Sequence, residues 1–365
     1  MLKLLSKRVF FLLILAFLIA LTRIEALVAL IVFVMSATLV FTIVPFLAHR
    51  MKLRGIVGKD MNKFHKPEVP EMGGIAVMLG FFASVILALV YYAYLHFFPG
   101  LNLTALLAGL LTITLVGFLG VLDDLVGWKQ GIRQWQHAIV PVFAALPLMA
   151  LPEAVGFTSI SVPFFGAVQL GILYSLVLVP IGITGASNAS NMLAGFNGLE
   201  AGMGLINALT VLAVAFILGE MEAVILMAGL AGALAAFLWF NWYPAKIFPG
   251  DSLTLMTGAG IAAAVIIGNM EKIGIMLFAL YFVEFAFKAK HKFQSECFGI
   301  PQADGTLKAS PKGGSVTHWI MKHGKFTEPQ VTGIILTVQG IIALIVFVLF
   351  LQGYQLGVSQ GFVKV

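Results

Sequence analysis

The feature that most constrains this chain is a succession of long apolar runs separated by short polar segments. An apolar run of about eighteen or more residues is long enough to cross the hydrocarbon core of a bilayer as a helix. In 365 residues we read ten such spans, at 26–48, 73–97, 103–122, 135–151, 168–187, 201–218, 223–240, 253–269, 273–290 and 331–352. Each is expected to be a helix, because a helix satisfies its own backbone polar groups in lipid and no barrel-like alternation occurs. The expected fold class is all-α integral membrane, a polytopic bundle of about ten transmembrane helices, or eleven if Val9–Thr22 also crosses. That segment is short and follows Lys3, Lys7 and Arg8, as in a signal sequence, but no small-residue cleavage site comes after it. Residues 1–25 are therefore read as a retained hydrophobic segment and 26–365 as a single transmembrane domain.

Charge placement gives the bundle two faces. Only 10% of residues are charged and 60% are hydrophobic, whereas a soluble domain carries about 25% charged residues. The net charge of +6 does not point to nucleic acid as a partner, because the basic residues sit in short loops between apolar runs. That placement suits membrane topology and an anionic partner. Alternation of the spans gathers loops 49–72, 123–134, 188–200, 241–252 and 291–330 on one side. With their flanking helix ends these loops hold sixteen Lys and Arg, against Lys272 and Lys364 on the other side. The positive-inside rule makes the first set cytoplasmic. On the opposite side, Pro152–Gly166 combines β-formers with turn residues and is expected to form a small hairpin. The single cysteine, Cys297, cannot form an intrachain disulfide.

The polar chemistry falls on that same basic face. Asp123 and Asp124 close the third span, Asn188, Asn191, Asn197 and Glu200 lie between the fifth and sixth, and Asp251 opens the eighth. Carboxylates and amides bordered by lysines at an interface can hold a divalent metal and a phosphorylated substrate. Adjacent carboxylates at a helix C-terminus are unfavourable, by roughly 0.3–1 kcal/mol each, so a cationic group is expected to compensate them. Asp251, in FPGDSLTL, also suits a helix cap. Asn197 and Glu200 have capping-box spacing, which makes Glu200 structural rather than catalytic. The first loop carries Lys59, Lys63 and Lys66 beside Asp60 and Glu71, and Gly73 and Gly74 suggest close approach of backbone or substrate. Lys129, Arg133 and His137 are spaced four apart and share a face if helical. Glu284 is an acid inside the ninth span, with Lys288 one turn later as an alternative to a functional role.

Four segments in order resemble a known family. Lys66, Pro70, Met72, Gly73 and Gly74 resemble the first-loop motif of the bacterial phospho-MurNAc-pentapeptide translocases, and GVLDDL resembles the family's aspartate pair. GKDMNK, NASNMLAGFNGLEAG and FNWYPAKIFPGDSL are similar to the dolichyl-phosphate GlcNAc-1-phosphate transferases of eukaryotes and archaea. Together they resemble the polyprenyl-phosphate N-acetylhexosamine-1-phosphate transferases, over nearly the whole chain from about residue 38. The resemblance implies transfer of GlcNAc-1-phosphate from UDP-GlcNAc to dolichyl phosphate, with release of UMP. It implies Mg2+ as cofactor, with Mn2+ as a substitute, and Asn191 and Asp251 as metal ligands. Asp123 and Asp124 become catalytic candidates. Lys59, Asp60, Asn62, Lys63, Lys66, Glu71, Asn188, Asn197, Arg133, His137, Lys308, Lys312 and His318 become substrate-binding candidates.

Asn197 stands where the bacterial branch has an acid, and that branch's histidine cluster is absent from the last loop; both count against MurNAc-pentapeptide as donor sugar. The eukaryotic arginine-histidine-arginine segment is also absent, replaced by CFGIPQADGTLKASPKGGSVTH, which points to an archaeal form. The membrane is then the plasma membrane, or the endoplasmic reticulum for a eukaryotic enzyme. The lipid bilayer is itself a partner, and a homodimer stays open. The rival reading is a secondary transporter of a phosphorylated or nucleotide substrate. Transporters place ionisable groups near the bilayer midplane, whereas these acids sit at helix ends.

Overall fold

The computed structural model describes residues 24–96, 98, 100–126, 141–150, 159–162 and 166–355. Among these, six helices are long and apolar enough to cross a membrane. They are α1 (Ile24–Leu53), α2 (Gly74–Leu95), α3 (Leu103–Val126), α6 (Leu199–Leu218), α7 (Met221–Asn241) and α12 (Glu328–Gln355). Between them stand α4 (Leu146–Ala150), α5 (Val179–Met192), α8 (Asp251–Ile267), α9 (Glu271–Leu277), α10 (Ala279–Lys290) and α11 (Val316–Lys322). The expected extra segment at 9–22 and residues 135–140 and 151 of the expected fourth span lie outside the described residues.

Packing sorts these helices into centre and rim. The most apolar window of α7 is 83% buried, against 28% for α1 and α12, so α7 is the axis and the other two face lipid. The lipid-facing side chains follow from this, with Phe41 on α1 and Leu344 on α12 exposed. Lipid tails are as apolar as leucine, so membrane helices associate through close packing of small residues. A Cβ at Gly232 on α7 would collide with the backbone of Phe33 on α1, and one at Gly258 on α8 would meet Ser187 Cα on α5 at 2.7 Å.

Two expected spans are not single α-helices. The span expected at 168–187 opens in the strand Gly166–Gln169, passes through a π-turn at Tyr174–Leu178 and then runs into α5. Val179 N–H donates to Tyr174 O, five residues back, and Pro180 has no N–H to continue the four-residue ladder. The span expected at 273–290 is divided at Phe278 into α9 and α10. Gln339 of α12 supports the break, since its Nε2 donates to Leu277 O at 2.9 Å and to Asn207 Oδ1 at 2.6 Å. A carbonyl loosened in lipid needs such a donor.

Short β-pairs trim the loops. In the first loop β1 (Val57–Lys59) pairs antiparallel with β2 (Glu68–Pro70). The expected hairpin forms as β3 (Ser159–Val162) with β4 (Gly166–Gln169), set towards the C-terminal end of the segment expected. In the last loop β5 (Ile300–Pro301), β6 (Thr306–Lys308) and β7 (Phe326–Thr327) make a three-stranded sheet.

Candidate active site

The start of α8 is the centre of the polar face. Gly250 precedes it at φ +71, a conformation that glycine adopts without steric cost. The carboxylate of Asp124, at the end of α3, lies against this turn. Asp251 N–H donates to Asp124 Oδ1 at 2.7 Å and Ser252 N–H to Asp124 Oδ2 at 3.1 Å. For Asp124 the compensating positive group is the N-terminus of α8. Asp124 is an N-cap supplied from another helix, in place of the local cap expected from Asp251. Asp123 beside it is buried, and Asp251 is partly exposed.

Backbone closeness explains the glycines of the first loop. Gly73 N–H donates to Phe248 O at 2.9 Å and Gly74 N–H to Pro249 O at 2.8 Å. A Cβ at Gly120 of α3 would lie 2.5 Å from Ser252 Cα. The close backbone approach expected at Gly73 and Gly74 is present. Glu71, just before them, has its carboxyl pushed above the usual range, first by burial and then by the charge on Asp124.

Asn191 ends α5 next to the same turn. Thr254 Oγ1 is 3.1 Å from Asn191 Oδ1 and 3.2 Å from Asp251 O, so one hydroxyl links the two candidate metal ligands. Asn188 Nδ2 turns back to Thr184 O at 2.8 Å. From these two asparagines an apolar cavity of about 960 Å³ runs along α5, α8, α9 and α10. Ile261, Val265, Ile266, Ile275, Phe282 and Phe285 line it, and Tyr174 and Glu271 stand at its far end.

Asp60, Lys63, Asn197 and Glu328 form a second polar cluster. Lys63 pairs with Asp60 and reaches Glu328 Oε2 at 3.3 Å, with its ammonium 4.5 Å from the centre of the Tyr243 ring. Asn62 joins two loops, donating to Gly195 O at 2.8 Å and accepting from Gly299 N–H at 2.9 Å. Glu200 accepts from Gly195 N–H at 2.6 Å. The capping box expected between Asn197 and Glu200 does not form, because α6 starts after Gly198 at φ +78 with no side-chain cap. Glu328 was not a sequence candidate. Its only signal was an acid opening the last apolar run, which reads equally as a solvated helix start.

The remaining candidates divide by exposure. Lys59, Lys66, Lys308 and Lys312 are exposed at the loop surface. Arg133 and His137 lie outside the described residues. Glu284 is fully buried, and its Oε2 accepts from Val316 N–H at 2.7 Å and Ser315 Oγ at 3.0 Å, so it holds the start of α11. Lys288 is 3.8 Å from its other oxygen, which is the alternative partner expected.

His318 on α11 is buried, with Nε2 3.0 Å from Phe298 O. Burial pushes its imidazole below the ordinary value of 6.5. A buried neutral histidine stabilises the fold above its unfolded pKa, and that stability is lost as pH falls from there through the lowered folded value. The melting temperature should therefore drop on acidification from pH 7.5 to about 5.5, and drop less in His318→Gln. Equal slopes in the two proteins would remove His318 from the account.

Among the described residues no cluster of three or more His, Cys, Asp or Glu is placed to hold a metal. The donor set nevertheless suits Mg2+, a hard cation that keeps several waters and takes one or two carboxylates with substrate phosphates. The Asp251 carboxylate and the Asn191 amide oxygen are donors of that kind.

A sequence profile described as Glycosyl transferase family 4 matches residues 106–269. A protein of Sulfolobus acidocaldarius is 39% identical over 300 residues, 81% of this chain and 88% of that protein. One of Saccharolobus solfataricus is 39% identical over 296 residues, 80% of this chain and 88% of its own. Both carry, provisionally, the name UDP-N-acetylglucosamine–dolichyl-phosphate N-acetylglucosaminephosphotransferase. The Schizosaccharomyces pombe protein of that name is 30% identical over 281 residues, 66% of this chain and 62% of its own. The chain belongs to this phosphotransferase family. Membership and the apolar helices together make it an integral membrane protein. The profile's span takes in Asp123, Asp124, Asn188, Asn191, Asn197 and Asp251.

Proposed function

We propose that the chain transfers GlcNAc-1-phosphate from UDP-GlcNAc to dolichyl phosphate, giving GlcNAc-pyrophosphoryl-dolichol and UMP on the cytoplasmic face. The carrying observation is the apolar cavity that ends at Asn188 and Asn191, a hydrogen bond away from the start of α8. Its lining suits an isoprenoid tail, and the phosphate end of that lipid would emerge among the amides and carboxylates. A water-soluble donor would reach the same place from the loop face, where Lys59 and Lys66 are exposed. The basic loops support the cytoplasmic assignment.

In the reaction an oxygen of the lipid phosphate attacks the sugar-linked phosphorus, and the bond to the UMP oxygen breaks. A phosphomonoester has its second pKa near about 6, so little base strength is needed. Both oxygens of Asp124 already accept backbone N–H bonds. We assign Asp124 to holding Asp251 in place, and Asp123, buried beside it, to orienting the acceptor phosphate or taking its remaining proton. Asp251 and Asn191 would hold Mg2+, which when bound neutralises pyrophosphate charge and supports the leaving UMP.

The testing experiment is exchange of labelled UMP into UDP-GlcNAc by purified protein with dolichyl phosphate. Exchange should require dolichyl phosphate, stop in excess chelator, and return with Mg2+ or Mn2+. UDP-MurNAc-pentapeptide should compete poorly as donor. Full exchange in chelator would remove the metal, and comparable turnover of the two donors would overturn the choice of sugar. Transport of UDP-GlcNAc into vesicles without any UMP release would favour a transporter instead.

A further inference from the structure

Asn197 is a buried junction between four segments of the polar face. Its backbone N–H and its Nδ2 both donate to Glu328 Oε1, at 2.9 and 2.7 Å. Nδ2 is also 3.2 Å from Asp60 Oδ2 in the first loop. Its Oδ1 accepts from Ala245 N–H at 2.6 Å, in the segment leading to α8, and is 3.3 Å from Lys63 Nζ. Thr332 Oγ1 of α12 reaches Asn197 O at 3.3 Å.

The charges within this junction are uneven. Asp60 and Glu328 are both 3% exposed, and Lys63 stands between them. Two buried carboxylates on one ammonium are tolerable only if their remaining lone pairs receive hydrogen bonds. Asn197 supplies those bonds to both acids while accepting from a backbone amide on its other side. An acid at 197 would add a third carboxylate to the same ammonium. An amide at 328 would leave Lys63 with one of these two acidic partners.

We infer that Glu328 is a positioning residue for the transfer site, acting through Asn197 to hold the loop after α5, and with it Asn191, against the first loop and the approach to α8. The inference rests on the proposed transferase reading for its kinetic consequence, but not for the junction itself. It implies that the second carboxylate can be moved across the contact. Placed at position 197 and removed from position 328, it leaves two acids sharing Lys63. The glutamine amide introduced at 328 can then donate to the carboxylate introduced at 197.

The test uses the full chain in lipid nanodiscs as E328Q, N197D and the N197D/E328Q pair. Readouts are UMP exchange per folded enzyme at saturating UDP-GlcNAc, the donor KM, and hydrogen exchange over residues 193–200. E328Q should be about tenfold slower and N197D about a hundredfold slower, both in kcat more than in KM, with faster amide exchange in that loop. The double variant, which restores the 197–328 contact but not the donor to Asp60, should be at least about tenfold faster than N197D and regain protection in that loop. A double variant no faster than the worse single, or one that fails to fold, overturns the inference. So does an E328Q protein like wild type in rate and in protection. If wild type itself shows no UMP exchange, the transferase reading fails, and recovery of protection in the double variant alone still decides the junction.

Discussion

Asp251→Asn is expected to lower transfer by about a thousandfold while leaving the melting temperature within a few degrees of wild type. Stability should hold because the cap at the start of α8 uses the backbone N–H of Asp251, not its side chain. An amide in place of the carboxylate keeps size and polarity but weakens a hard-cation ligand and removes a charge next to pyrophosphate. The accompanying sign is a higher Mg2+ requirement, read by titrating the metal back into chelated enzyme. An Asp251→Asn protein with normal turnover at low Mg2+ would remove this residue from the metal site.

Asp124→Asn should damage both stability and turnover, and here the structure changes the expectation formed from sequence. If the aspartates merely ended α3, loss of a negative charge at that helix C-terminus would be neutral or slightly stabilising. In the fold the Asp124 carboxylate caps the start of α8 with both oxygens. Asn retains one acceptor and turns an amide toward the other N–H, at a cost of about 1–2 kcal/mol. Turnover per folded enzyme should fall by about a hundredfold or more, because the displaced turn carries Asp251. Glu200→Gln is the matched control. It keeps the acceptor for Gly195 N–H and should retain most activity. An active Asp124→Asn enzyme, or a folded but inactive Glu200→Gln enzyme, would mean that the roles on this face are exchanged.

Much of this protein could be read from local sequence. Six of the expected spans reappear as helices of bilayer length, because the length of an apolar run is a property of contiguous residues. Loop alternation likewise puts Asp123, Asp124, Asn191 and Asp251 on one face, and the structure brings Asp124 and Asn191 to the same turn. Interrupted helices were less legible. The break at Phe278 depends on Gln339, sixty-two positions beyond the carbonyl at Leu277 that it supports. Nothing in the run from 273 to 290 announces that partner.

The sequence by itself determined the class of molecule, the face that carries the chemistry and the family resemblance, since run length, charge placement and short motifs are all carried along the chain. Only the tertiary structure decided what several polar residues do. Asp124 caps a helix to which it does not belong, Glu284 holds the start of α11, and Glu328 closes a junction with residues from the first and third loops. The physical reason is that a buried polar group takes its role from whichever donor or acceptor packing brings within about 3 Å. In this protein those partners lie from 31 to 265 positions away.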